Sequence, residues 1–338
     1  MHVTPKLAIV ISCYNYEAFV GRAIQSVVSQ GRDDCELVVV DDGSTDNSWD
    51  VITRSGVTAF RINNGGQRAA CLFGLDRTTA PFVLFLDADD ELKPGALDTI
   101  LEYLDPNVSK LQFSLTRIDA DGNVISKAPP ALEAFRDRSN LARQVLRTGV
   151  YRTPPTSGNV FRRDLCELLR EADYDTAVDG IVLFAAPFMG DVVSLSEELG
   201  RYRIHGRNDS GLGRMPDVAT LQRDIHRFVA RMDHLRQIIL RCNDKLQLIP
   251  SQEAYYFRER SFCLAVAFGR RPSISNLVWL LYKLTSTQYP PKSKIAMAIF
   301  FVLALLLPTD RARALLAYRF KVGHRSTIGF LKEIVAWR

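Results

Sequence analysis

The sequence predicts an α/β protein built on a mixed, mainly parallel sheet with helices on both faces, continued by a helical C-terminal extension. Three observations carry this expectation. Residues 7–12, 37–40 and 83–86 are apolar runs without alternation, as strands covered on both faces are. Between the first two, Phe19, Val20, Ala23, Ile24, Val27 and Val28 recur at helical spacing, so strand, helix and strand form a right-handed parallel unit. Beyond Gly213 helical periodicity dominates the rest of the chain.

The 338 residues, 47% hydrophobic and 24% charged, suit one large globular domain or a domain with an appendage. Six scattered cysteines (Cys13, Cys35, Cys71, Cys166, Cys242 and Cys263) form no Cys-x-x-Cys pair and have no spaced histidine beside them. That argues against a zinc site and a disulfide framework, and for a reducing, cytoplasmic compartment. The N-terminus runs almost directly into a strand, so no secretory signal is expected. Residues 253–338 carry 14 Lys or Arg against 4 Asp or Glu; with the whole chain at +5, residues 1–252 therefore hold a net −5. The basic part also contains the most apolar stretch, a pairing that suggests an anionic membrane surface and disfavours nucleic acid as the partner.

Taken in order, the first strand ends in Ser12-Cys13-Tyr14-Asn15, and its helix runs to about Gly31. The second strand ends in Asp41-Asp42-Gly43-Ser44-Thr45-Asp46. Asp46 or Ser44 suits the N-cap of a helix through Trp49 and Ile52. Asp42 stands at the carboxyl edge of the sheet, where a carboxylate can accept hydrogen bonds from a base or a ribose. Residues 57–62 read as a third strand, followed by Asn63-Asn64-Gly65-Gly66-Gln67-Arg68 and a helix over about 69–76. The glycine pair either makes a plain turn or opens backbone N–H groups to an anion, with Arg68 adding charge. The fourth strand ends in Asp87, Asp89 and Asp90. One acid would serve to cap a helix near Pro94; three within four positions point to a hard divalent cation with oxygen ligands.

These three features in this order resemble glycosyltransferase family 2, over roughly residues 6–210. The family comprises inverting enzymes of the Rossmann-like GT-A fold that use a nucleotide-sugar donor. The resemblance implies that Ser12 and Tyr14 sit near the nucleotide and that Asp42 reads the nucleobase, commonly uracil, which favours UDP. It also implies that Gly66 and Arg68 belong to the donor side. Asp87 and Asp89 would form the Asp-x-Asp motif, Asp89 binding Mg²⁺ or Mn²⁺ on the diphosphate and Asp87 meeting the ribose or the metal. One departure is Leu72, where many members have Asn.

Residues 111–118 read as a strand and Asp119-Ala120-Asp121-Gly122-Asn123 as a hairpin turn, with Asp121 a turn residue. Residues 126–152 are poorly patterned before a helix through Leu141, Val145 and Leu146. Residues 156–163 resemble the family's small-residue loop against the donor sugar, with Gly158 permitting close approach. Asp179 is the candidate general base, at a position where the family often has Glu-Asp and this chain has Val178-Asp179. An apolar neighbour would raise its pKa; an N-cap for the helix that follows is the competing reading. Tyr202-Arg203-Ile204-His205, continuing to Ser210, matches the family's late Tyr-Arg-x-His motif. There His205 would reach the diphosphate or its metal. Arg203 and Arg207 could pair with phosphate oxygens or stand on an exposed strand.

In the tail, residues 221–240 and 254–268 form amphipathic stripes, and residues 295–307 are uncharged and apolar. Thirteen residues fall short of the ~20 that span a bilayer. A buried helix of a helical subdomain, or one lying in the membrane interface between Lys292, Lys294, Arg311 and Arg313, are the open readings. A basic amphipathic helix is expected over 311–325, and Trp279, Tyr282, Tyr318 and Trp337 suit an interface.

The resulting expectation is a metal-dependent inverting glycosyltransferase with a catalytic domain over 1–215 and a helical, basic extension over 216–338. The donor is a nucleotide-sugar and the acceptor a glycan or lipid-linked molecule of surface polysaccharide or glycoconjugate synthesis. The expected location is cytoplasmic, peripheral on the inner membrane face. A polyprenyl-phosphate glycosyltransferase and an inactive binding module of the same fold are the alternatives.

Overall fold

The protein is described from a computed structural model over residues 3–128, 131–206, 208, 217–287 and 289–320. The chain opens with β1 (Leu7–Cys13), α1 (Val20–Val28), β2 (Cys35–Asp41), α2 (Ser48–Arg54), β3 (Thr58–Arg61), α3 (Gln67–Leu75) and β4 (Phe82–Asp87). It continues with β5 (Glu91–Leu92), α4 (Ala96–Glu102), β6 (Val108–Ile118), β7 (Val124–Ser126), β8 (Phe135–Asp137) and α5 (Ser139–Thr148). Then come β9 (Asn159–Arg162), α6 (Arg163–Cys166), α7 (Ile181–Met189) and β10 (Asp191–Arg203). The rest is helical: α8 (Val218–Cys242), α9 (Tyr255–Ala267), α10 (Ile274–Leu284), α11 (Pro291–Leu306) and α12 (Thr309–Phe320).

Two compact units result, one of residues 1–205 with 234–248, the other of 206–233 with 249–338. The expected boundary at 215 is therefore replaced by a division in which α8 contributes to both units.

In the first unit the strand order is β3-β2-β1-β4-β9-β6-β10-β5, with β7 beside β6 and β8 beside β10. Strands β3, β2, β1 and β4 are parallel, as are β6 and β10; β9 is antiparallel to both its neighbours. The apolar run of β1 explains its central place. Leu7, Ile9 and Ile11 pack with Val20, Ala23, Ile24 and Val27 of α1. Val10 points to the other face, where α3 lies so close that a Cβ on Gly74 would stand 2.4 Å from Val10 Cγ1. Helices thus cover both faces, and each fully buried side chain of β1 contributes about 1.5–3 kcal/mol of apolar burial.

From β1 the chain steps outward to β2 and β3, then returns to place β4 on the other side. The switch point lies between the carboxyl ends of β1 and β4, where Ser12 is in register with Asp87 and, across β1, with Val40.

The second unit has its own core, with Phe262, Cys263, Phe300, Phe301, Leu315 and Leu316 buried together. The apolar stretch forms α11, begun by Pro291 in its first turn. It packs Phe300, Phe301 and Ala304 inward and leaves Ile295, Ile299 and Leu306 exposed. Among the described residues no helix is long and apolar enough to cross a membrane. Strand β8 lies in the segment whose sequence shows no pattern. Arg207, Ser210, Trp337 and residues 321–325 lie outside the described residues.

Candidate active site

The loops after β1 and β2 are stitched together. Asn15 adopts a left-handed conformation (φ 58°) that aims its Oδ1 at the Thr45 N–H, 2.8 Å away, while its own N–H donates to Ser44 Oγ. Tyr14 is exposed on this rim and Ser12 half-buried beneath it. Asp46 accepts the Ser48 N–H and the Glu17 N–H, but the N-cap of α2 is Asn47, without a side-chain capping bond, and not Asp46 or Ser44. Asp41 is buried against Arg61 at 3.1 Å.

Asp42 is held by the glycine pair: Gly65 N–H donates to Oδ1 and Gly66 N–H to Oδ2, each at 2.8 Å. Burial raises the Asp42 pKa, and these two amides oppose the rise. Here the expectation of an open anion site changes, because the Gly66 amide already serves an anion of the protein itself. Arg68 likewise turns to the protein, its backbone N–H donating to the Thr176 carbonyl (2.8 Å) and Nη1 to the Leu169 carbonyl (3.0 Å). It ties the segment leading to Asp179 onto α3.

At the switch point, ligand oxygens of Asp87, Asp89 and Asp90 lie within 4.8 Å of one another. None of them caps α4, which begins after the left-handed Gly95 without a side-chain cap. Gln67 Nε2 donates to Asp87 Oδ1 at 2.6 Å, and the Asp87 N–H donates to Ser157 Oγ at 3.1 Å. Asp90 Oδ1 accepts the Arg203 N–H at 2.9 Å. Asp90 Oδ2 is buried with no hydrogen-bond partner, the Ser157 hydroxyl acting on this carboxylate from farther off. His205 Nε2 lies 2.9 Å from Asp89 Oδ2, its ring centroid 4.9 Å from that of Phe19 and 5.7 Å from that of Tyr16.

Burial, then the charges of Asp89 and Asp179, push the Asp87 carboxyl well above the usual carboxylate range. Burial, then Asp89 and Asp87, does the same to Asp90. The cluster carries more negative charge than its protein surroundings balance.

Arg203 corrects the sequence reading. It is neither on an exposed face nor open to phosphate, but wholly buried, donating Nε to the Asp89 carbonyl and Nη1 to the carbonyls of Asp119 and Ala120, with Nη2 paired to Glu91.

Gly158 also differs from expectation. A Cβ there would meet the Phe113 carbonyl oxygen at 2.7 Å and the Pro154 ring at 2.9 Å, so internal packing demands the glycine. The turn around it places Thr156 Oγ1 3.4 Å from Asp179 Oδ2. The helix after Asp179, α7, has Gly180 at its N-cap and no side-chain capping bond, which removes the capping alternative for Asp179. Val178 beside it is fully buried.

The structure therefore brings Asp87, Asp89 and His205 together, sets Ser12 in register with Asp87, and puts Asp179 within electrostatic reach of Asp87. Sequence reasoning counted Asp90 in the acidic cluster without giving it a role of its own, and gave none to Gln67, Ser157 or Lys110. The first three adjoin motif residues, which was the available signal; nothing in the sequence marks Lys110.

The sequence model of glycosyl transferase family 2 matches residues 8–169. An uncharacterized glycosyltransferase of Nostoc sp. is 38% identical over 216 residues, 60% of this chain and 66% of that protein. A GalNAc(5)-diNAcBac-PP-undecaprenol beta-1,3-glucosyltransferase of Campylobacter jejuni is 30% identical over 131 residues, 36% of this chain and 41% of that protein. The chain thus spans between about two fifths and just under two thirds of these relatives. Among solved structures, S. aureus TarS 1-349 in complex with UDP-GlcNAc superposes with a TM-score of 0.52 at 16% identity, covering 93% of this chain and 91% of that one, a likeness of fold. With its acidic motifs at the switch point of a GT-A sheet, the chain carries a glycosyl transferase family 2 domain over residues 8–169.

Proposed function

We propose that the protein is a metal-dependent, inverting glycosyltransferase. It moves a sugar from a nucleotide-sugar, a UDP-sugar in our reading, to a hydroxyl of a glycan or lipid-linked acceptor in surface polysaccharide or glycoconjugate synthesis. The observation that carries this reading is the convergence of Asp87, Asp89 and Asp90 at the switch point, with one buried Asp90 oxygen left unbonded. Such a set of hard oxygen donors fits Mg²⁺ or Mn²⁺, which Asp89 would hold with Asp87, Asp90 and His205 around it. Bound there, the ion would neutralise the charge growing on the leaving diphosphate.

The chain's own residues do the rest. Asp42, fixed by the Gly65 and Gly66 amides, keeps a lone pair on each oxygen for the N–H of a nucleobase. Ser12 and Tyr14 line the nucleotide, and Gly66 and Arg68 shape the donor side by holding Asp42 and the 169–176 segment. Asp179 accepts the proton of the acceptor hydroxyl as its oxygen attacks the anomeric carbon opposite the diphosphate, which inverts that centre. The complex of TarS with UDP-GlcNAc supports a UDP-sugar, and the undecaprenol-linked acceptor in the name of the C. jejuni relative supports a lipid-linked one here.

A membrane surface is the third partner in this reading. In the second unit Ile274, Val278 and Tyr282 line one face of α10, and Ile295, Ile299 and Leu306 one face of α11, all exposed. Lys292 and Lys294 adjoin the second stripe. Apolar stripes edged with lysine suit an anionic leaflet, and favour a position on the cytoplasmic face of the membrane.

The test is donor turnover across UDP-, GDP- and dTDP-sugars with Mn²⁺, Mg²⁺ or EDTA, on wild type and Asp89→Ala. One donor turning over only with metal, and not in Asp89→Ala, is the expected result. No binding of any donor under any condition overturns the reading in favour of an inactive module.

A further inference from the structure

Lys110, on β6, is wholly buried and has no part in the chemistry above. Its Nζ has three neighbours: Gln112 Oε1 at 2.8 Å, Thr153 Oγ1 at 2.9 Å and Tyr151 Oη at 3.1 Å. In the hydrogen-bond network around it, each of them accepts. The Gln112 amide is oriented by its Nε2, which donates to the Arg152 carbonyl and to Ser194 Oγ, so Oε1 faces the lysine. Tyr151 gives its one hydrogen to the Leu183 carbonyl at 2.8 Å. Thr153 gives its own to Asn159 Oδ1 at 3.1 Å, or to the Pro154 carbonyl at 3.4 Å. Three acceptors and no donor require three hydrogens on nitrogen, and only the ammonium form has them. Burial holds the Lys110 pKa well below the usual lysine value, and the Asp179 carboxylate is the anion whose field opposes that fall.

The same partners shape the loop over residues 151–159. Asn159, reached from Lys110 through Thr153, donates Nδ2 to the Pro155 carbonyl at 2.8 Å and closes the turn that follows. That turn presents Thr156 Oγ1 to Asp179 Oδ2 and Ser157 Oγ to the Asp87 N–H. Among the described residues, charged groups acting around Asp179 include Lys110 from β6 and Asp87 from β4; on its own segment, Asp175 accepts the Ala177 N–H.

We propose that Lys110 is a positioning residue, a buried ammonium that fixes the 151–159 loop against Asp179 and Asp87 and supplies the counter-charge that keeps Asp179 ionised. The proposal rests on the reading of Asp179 as the base. Its test is kcat and donor KM from about pH 5 to 9, followed by nucleoside diphosphate release from the donor that turns over, for wild type, Lys110→Met, Tyr151→Phe and Asp179→Asn.

Lys110→Met is expected to lower kcat about tenfold near neutrality while donor KM stays within about twofold, and to move the acid limb of kcat up by about one pH unit. Tyr151→Phe shifts the limb in the same direction by less. A folded Lys110→Met whose loss is the same at every pH overturns the proposal. Should that variant not fold, an unmoved limb in Tyr151→Phe overturns it. If Asp179→Asn keeps both its rate and its acid limb, the base reading has failed and the proposal goes with it. If Asp179→Asn is inactive while the Lys110 limb stays put, only the proposal has failed.

Discussion

Replacing Arg203 with methionine separates two accounts of that side chain. Were it a phosphate ligand, the loss would fall on donor affinity. In the structure its guanidinium sits 5.2 Å from the Phe19 ring and binds the Asp89, Asp119 and Ala120 carbonyls and Glu91. Methionine keeps an apolar stem and the backbone bond to Asp90 and deletes every polar bond of the side chain. Removing one member of a buried ion pair costs about 3–5 kcal/mol. Two terms hold the figure to the lower part of that range: Glu91 keeps Arg201 at 3.1 Å, and the 119–120 turn can take water in place of the lost donor. At about 3–4 kcal/mol, and roughly 2–4 °C per kcal/mol for a unit near this size, the first unit should melt about 6–16 °C lower. Thermal melting by circular dichroism, with UDP titrated onto the folded variant, reads both quantities. A melting loss under about 3 °C together with UDP affinity weakened more than about tenfold would refute the buried-keystone account.

Three other expectations follow from the same geometry. Gly158→Ala forces its Cβ against the Phe113 carbonyl and Pro154, so it should cost about 1–3 kcal/mol in denaturant melts and lower donor turnover; a variant with unchanged midpoint and rate speaks against that packing. Asp34, whose pKa the Arg32 guanidinium lowers, contributes stability that is present above about pH 4 and is lost as pH falls through its folded pKa. Asp34→Asn should therefore cost about 0.5–1 kcal/mol at neutral pH and nothing near pH 2, checked by melts at both. The double change Ile295→Glu with Ile299→Glu should end co-flotation with vesicles of about one third anionic phospholipid, while neutral vesicles bind neither protein; equal flotation of mutant and wild type removes α11 from the membrane reading.

The parallel half of the sheet was legible because β1, β2 and β4 are buried on both faces and so lack alternation, and because acids cluster where they end. Asp87 and Asp89 stood out for the same reason. What the sequence hides is direction. Arg203 lies in an alternating basic run that reads as solvent-facing, yet its partners Asp89, Glu91 and Asp119 are 84 to 114 residues away. Lys110 would be placed on a surface by its type alone, and of the partners that make its burial tolerable Tyr151 and Thr153 lie 41 and 43 residues on. Gly158 was read as a place where a ligand comes close, and the atoms that crowd it in the structure belong to Phe113 and Pro154. Strand β8, three residues long, is defined by its pairing to β10 and carries no local signal of its own.

The acidic cluster takes its hydrogen bonds from far downstream: His205 reaches Asp89 across 116 residues, and Arg203 reaches Asp90 across 113. On a ribosome adding about 5–20 residues per second, the carboxylates would emerge roughly 6–23 s before those partners exist. A nascent chain therefore cannot hold a donor site in its finished form while the first strands are folding. Synthesis itself delays completion of the cluster until β10 and His205 have emerged.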